Sequence, residues 1–555
     1  MLRILLTLIF CIFLFAFSGI SQVANYKYST ARNIVDRIAV AYGSNIKPPK
    51  LEIRSKNSSG KKNGLMYYPG EQPMIVLDEE VYDLCIGFVK DSSNALAALL
   101  GHELAHHYEK HDWCSSFAFL LGDENELVKS LKKISKEEKE KVETQADYYG
   151  GFYAYVAGFQ SYEITPKLLD AIYSHFKLPE KIPGYPSKTE RKDIAAKRME
   201  ELKTWTALFD AAEFSFALKE YQKAATISDF LAVKFPSREM FNNSGVCKLL
   251  MAVEYFDAKE FTFMMPIEFD TQTRLKNGSV RAIGIEPTEK IRLRNQWLEE
   301  AKTLFDKAIQ SDPDYLNAKI NKACVFILQN NNEMAIGLAN EILNNSKYAI
   351  DNYNISKAYT LIGIANHRNS KNEEAKQSFE KANTLNKTTQ TNYNLGAAKE
   401  LDKGYWDSFT DYLYGFFEGE STSANPEKSF NPLTEKIGGV NPSEITYSES
   451  RNTIKIPDNP MAAINFSSDN KQGTFIISQK NEDLNIISAK TSYLLKTAQG
   501  ISIGASSEIV KSKYGEPSYT IRVINGNYLM YKKSRIAFFV NDKQVVEKWF
   551  IFNRN

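Results

Sequence analysis

Two short strings, His102-Glu103-Leu104-Ala105-His106 and Glu143-Thr144-Gln145-Ala146-Asp147, restrict this chain more than anything else in it. On a helix, residues four apart share a face, so both imidazoles can reach one cation while Glu103 lies one step round, beside its open position. Zinc with three protein donors keeps a fourth position for water and lowers that water's pKa towards ~7, where a carboxylate can take its proton. The run from Ala95 to His106 reads as that helix, with N-cap candidates across Asp91-Ser92-Ser93-Asn94. The fold must then bring a third donor to the His102/His106 face. Histidine is scarce, six in the whole chain, and His102, His106, His107 and His111 cluster here.

Several residues compete for the third place. Asp112 stands at the offset used by metzincins, but that pattern needs a glycine where this chain has Glu109, because the backbone turns sharply there. On a continuous helix His111 falls on another face and His107 points away, to solvent or into packing. Glu143 fits better. The sequence turns aromatic and small directly after it, through Tyr148-Tyr149-Gly150-Gly151-Phe152, which puts Glu143 at the edge of a buried helix rather than in the preceding charge run. The same helix presents Asp147 one turn along, able to accept a hydrogen bond from a ligand imidazole and fix its tautomer. Ala146 is small enough for close helix approach.

His-Glu-Leu-Ala-His followed by Glu-Thr-Gln-Ala-Asp resembles the HtpX and CAAX-prenyl-protease-like zinc peptidases, which are gluzincins, over roughly residues 25–205. The resemblance implies Glu103 as general base, His102, His106 and Glu143 as ligands of one zinc ion, and a basic residue after a His-Pro pair downstream. Arg191 matches the basic position; Tyr185 stands where histidine is usual, either as a hydroxyl donor to a developing oxyanion or simply packed in a Pro-rich turn. The family's Asn-Ala strand motif before the active helix is not evident. The run Met74 to Leu77 is expected to be an edge strand able to pair with an extended peptide.

The rest of the chain reads as further domains. With 555 residues, two to four domains are expected, and 43 % hydrophobic with 25 % charged residues is a globular composition. A net charge of +2 with mixed signs gives no reason to expect nucleic acid as a partner. Arg3, an apolar run from Ile4 to Phe17 and Gly19-Ile20-Ser21 read as a secretory signal over 1–21, with an uncleaved anchor as the alternative. Export would permit a Cys85–Cys114 bridge. Residues 22–205 form the expected α+β metallopeptidase domain. From 206 to 403, small and aromatic residues recur with tetratricopeptide spacing: Ala224 and Pro236; Ala301, Phe305, Ala308 and Pro313; Ala335; then Tyr359, Gly363, Ala375, Phe379 and Ala382. An insertion, 252–292, interrupts them and carries the apolar run Phe261 to Ile267. A linker over 404–445 precedes a small α+β module, 446–555. There a hairpin is expected around Asn525-Gly526, strands over Ile536 to Val540 and Val545 to Phe552, and a helix between Ser506 and Gly515.

The expected architecture is thus mainly α and multidomain, with the layout of BepA-like periplasmic members. The resemblance implies a zinc endopeptidase of the periplasm or cell envelope, acting on exported or membrane-associated envelope proteins, with the repeats holding substrate or partner. The alternative is a repeat-based binding or assembly factor whose proteolysis is latent or lost.

Overall fold

The computed structural model describes residues 25–56, 64–111, 135–181, 187–256, 263–269, 273–274, 286–348, 351–401, 425–445 and, with short breaks at 457–458, 469–470, 480–481, 491, 524–525 and 542, 452–554. The signal segment, Asp112, Cys114 and Tyr185 lie outside them. The chain divides into two compact units, Met1–Thr206 and Ala207–Asn555.

The first unit opens with helix α1 (25–42). Three short strands follow, β1 (Lys50–Arg54), β2 (Leu65–Tyr68) and β3 (Met74–Asp78). Their order is β1-β3-β2, with β1 parallel and β2 antiparallel to β3. The Met74–Leu77 run is therefore the central strand and not an edge. Its side chains are buried from Ile75 to Asp78, as expected of a strand covered by a neighbour on each side. The edges are β1 and β2.

Helices α2 (Glu79–Ile86), α3 (Ser92–Tyr108), α4 (Lys136–Val156) and α5 (Ser161–His175) complete this unit with the first part of α6 (Lys188–Ala217). Helix α3 is apolar nearly all round and almost wholly buried from Ala95 to His107, the pattern of a central helix. It packs against β2, α2, α4 and α5. Of its N-cap candidates, Asp91 occupies the cap without a side-chain bond, while the Asn94 side chain accepts from the Gln160 N–H at 3.0 Å.

In the second unit, α7 (Tyr221–Lys234), α8 (Arg238–Val253), α9 (Pro287–Ser311), α10 (Leu316–Leu328), α11 (Asn332–Asn344), α12 (Asn352–Arg368), α13 (Asn372–Leu385) and α14 (Thr389–Leu401) each pack on the next. Most are joined by short connections, which makes neighbours antiparallel. The chain here is an array of antiparallel helices, and its small residues serve its aromatics: a Cβ on Gly245 would lie 2.6 Å from the Phe305 ring, and one on Gly363 2.7 Å from the Phe379 ring. The insertion falls inside one hairpin, between α8 and α9, which still pack together. Part of it returns to the array, where the Phe263 ring packs tilted against Phe379 at 4.6 Å between ring centres and Asn394 bonds both the N–H and the C=O of Met264. Phe261 lies outside the described residues; within the insertion 252–256, 263–269, 273–274 and 286–292 are described, and they include the two-residue strands β4 (Glu268–Phe269) and β5 (Thr273–Arg274).

The C-terminal module is larger and more β-rich than the sequence suggests. Strands β6 (Asn452–Ile456), β7 (Asn459–Ser468), β8 (Gln472–Gln479), β9 (Glu482–Ala489), β10 (Tyr519–Val523), β11 (Gly526–Tyr531), β12 (Ile536–Asn541) and β13 (Val546–Arg554) form one antiparallel sheet, ordered β10-β11-β12-β13-β9-β8-β7-β6. The expected hairpin is β10–β11, closing at Val523 and Gly526, and helix α15 (Ser507–Tyr514) is capped by Ser506.

The expected linker needs correction. Residues 402–424 lie outside the described residues, but 425–445 are built into this module. Ile437 and Ile445 join its hydrophobic core, and the buried Glu435 accepts hydrogen bonds from Tyr514 Oη and Ala498 N–H. A Gly-, Asn- and Pro-rich stretch can be ordered when its turns are capped, as Asn441 and Glu444 cap one here.

Candidate metal centre

The buried helix α3 delivers His102, Glu103 and His106 to the interior, where polar groups require partners. The partners come from α4. Ser135 caps its start by accepting from Glu138 N–H. Glu143 and Asp147, four residues apart on one face, meet His102 from opposite sides of its ring: Nδ1 is 2.7 Å from Asp147 Oδ1 and Nε2 is 3.1 Å from Glu143 Oε2. His106 Nε2 lies 3.1 Å from His102 Nε2 and 3.9 Å from Glu143 Oε1.

This donor set fits a zinc ion. The donor atoms of His102, His106 and Glu143 all lie within 4.8 Å of one another. On a tetrahedral ion with Zn–N bonds of ~2.0–2.1 Å, two nitrogens stand about 3.3 Å apart, close to the 3.1 Å between the two Nε2 atoms. Both Nδ1 atoms have other partners, so the Nε2 atoms are the ones that face the carboxylate.

The two imidazoles differ electrically. Burial disfavours charge on His102, but Asp147 and Glu143 outweigh it and raise its pKa well above the usual imidazole range. Burial dominates at His106 and pulls it down to about 3, with only partial compensation from Glu143; it is a neutral donor at ordinary pH.

Glu103 is buried, and its Oε2 accepts from the backbone N–H of Tyr67 at 2.8 Å. That edge strand β2 supplies this donor was not legible in the sequence, because strand order sets which backbone groups reach the helix. Arg191 lines a cavity together with His102, Glu143 and Asp147, alongside the apolar Leu168 and Leu202.

The other two histidines of the cluster are engaged. His107 is buried; Nε2 is 2.8 Å from the Lys47 carbonyl and Nδ1 3.1 Å from Tyr67 Oη. His111 does not lie on a remote face. Helix α3 ends at Tyr108, Lys110 adopts the left-handed φ of 56°, and His111 N–H returns to the His106 carbonyl at 2.9 Å. This Schellman-type turn swings the His111 ring back against His106, Nδ1 to Nδ1 at 3.0 Å. The available signal was the polar string Glu109-Lys110-His111, which ends the apolar helix.

No family model matches the chain, and no curated protein matches it. Among solved structures, a MamA double mutant (RS-1 ArsTM) is 13 % identical, covering 38 % of this chain and 90 % of its own at a TM-score of 0.24. A tetratricopeptide repeat protein from Parabacteroides merdae is 14 % identical, covering 49 % of this chain and 98 % of its own at a TM-score of 0.20. The gluzincin resemblance thus rests on its two motifs.

Proposed function

We propose that this chain is a zinc-dependent endopeptidase whose helical array holds a protein substrate or partner. The convergence of His102 Nε2, His106 Nε2 and the Glu143 carboxylate, with Glu103 buried on the same helix, carries this reading. Zinc held there would polarise a peptide carbonyl and acidify a water. Glu103 takes a proton as the water oxygen bonds to the carbonyl carbon, and returns it to the amide nitrogen as the C–N bond breaks. Tyr67 N–H fixes the Glu103 carboxylate through Oε2. Arg191 would contact the substrate from the shared cavity, and an extended substrate would run beside β2 rather than β3. The substrates would be exported or envelope proteins, a reading that rests on the N-terminal sequence alone.

Purified protein should hold about one zinc per chain and cut an unfolded protein such as casein. Glu103→Gln should keep the zinc and lose ~10²–10⁴ of the turnover; undiminished cleavage by that variant would remove Glu103 from the mechanism.

A second reading, a repeat-based binding or assembly factor with proteolysis latent or lost, is supported by the array itself, which fills much of 221–401 and offers the repeated helical surface on which such arrays bind proteins. Zinc content without any hydrolysis by wild type would favour it.

A further inference from the structure

Behind the ligand imidazole His106 runs a chain of polar groups that the proposed mechanism does not use. His106 Nδ1 is 3.0 Å from His111 Nδ1. His111 Nε2 is 3.4 Å from Gln145 Oε1, and Gln145 Nε2 donates to Glu109 Oε2 at 3.2 Å. With one proton on each imidazole, a single assignment satisfies every link. Gln145 has its amide N–H on Glu109, so its carbonyl oxygen faces His111 and must accept. His111 therefore carries its proton on Nε2 and presents a bare Nδ1 lone pair to His106. His106 must then be protonated on Nδ1, which leaves Nε2 unprotonated on the side of His102 and Glu143.

We infer that His111, backed by Gln145 and Glu109, is a positioning residue that locks His106 in the tautomer able to bind metal through Nε2; the inference rests on the zinc-site reading above. Asp147 does the same for His102 at 2.7 Å. The two ligands are thus held by different devices, one a direct carboxylate and the other a carboxylate acting through an amide and a second imidazole. Each link polarises the next, so the His106 lone pair gains basicity from an anion it does not touch. The left-handed Lys110 turns His111 back onto His106, and Gln145 stands on the ligand-bearing helix α4.

The test uses the full chain and zinc alone. In His111→Phe the ring volume remains and the acceptor is lost; zinc affinity, measured by chelator competition, should fall about 10- to 100-fold. His111→Asn places an oxygen near the Nδ1 position and should recover most of that loss. Long-range ¹⁵N–¹H spectra of the zinc-loaded wild type should show His106 protonated at Nδ1 and His111 at Nε2, a signature that a purely structural role would not demand. Gln145→Leu, which leaves His111 in place, should weaken zinc less than His111→Phe and serves if that variant does not fold. Zinc held as tightly by His111→Phe or Gln145→Leu as by wild type, or a His111 protonated at Nδ1, overturns the relay while the zinc site stands. Wild type that takes up no zinc overturns the site reading and the relay with it.

Discussion

Gly101 and Gly150 lie backbone against backbone: a Cβ on Gly150 would stand 2.5 Å from the Gly101 carbonyl oxygen. This contact sets the separation of α3 and α4, and so decides whether the carboxylates of α4 reach the imidazoles of α3. Gly101 directly precedes His102, so any displacement there is felt at the first donor.

Gly150→Ala should therefore lower stability by about 1–3 kcal/mol in urea unfolding, since backbone cannot yield as a flexible side chain can. It should also weaken zinc binding by prising the helices apart. Gly337→Ala is the control, because an added Cβ there meets nothing within 4 Å; a helical glycine in open space should gain about 0.5–1 kcal/mol. Equal effects at both positions would contradict the close-approach argument.

Asp147→Ala removes the acceptor 2.7 Å from His102 Nδ1. Zinc affinity should drop about 10- to 100-fold, and the raised pKa of His102 should fall, since burial would then act against Glu143 alone of these two carboxylates. Chelator competition and NMR titration of the metal-free protein check the two parts separately.

In the helical array, Phe379 is fully buried and its ring fills the space left by Gly363. Phe379→Ala should cost about 3–5 kcal/mol, read from the denaturant midpoint. A loss below 1 kcal/mol would mean that the small-against-aromatic nesting does not hold the array.

Glu435 offers a pH-dependent test in the C-terminal module. Burial pushes its carboxyl above the ordinary 4.5, with hydrogen bonds from Tyr514 and Ala498 opposing. A raised folded pKa means that folding favours the protonated form. Its stabilising contribution is complete below 4.5 and is lost as the pH rises through the raised value. Glu435→Gln cannot titrate, so the variant should gain on wild type across that window and level off above it. Urea midpoints of both proteins from pH 4 to 8 would show the rising difference; a flat difference would contradict it.

Much of this was legible along the chain. The two candidate-site strings specify residue types on single helical faces, and the recurrence of Ala301, Phe305 and Ala308, then Ala375, Phe379 and Ala382, is a local packing rule that repeats. Glycine-rich text misled at 425–445, because composition records turn residues but not what their caps attach to. β3 was misplaced because hydrophobicity marks a strand without fixing its neighbours.

What the sequence alone determined is which side chains share a face: His102 with His106, Glu143 with Asp147, each pair fixed by the helical repeat. That these faces meet was decided by the tertiary structure, through the Gly101–Gly150 contact, the edge position of β2 that gives Glu103 the Tyr67 N–H, and the left-handed turn at Lys110 that returns His111 to His106. Periodicity is carried by neighbours in the chain, whereas convergence depends on backbone approach between segments distant in sequence, which no local pattern encodes.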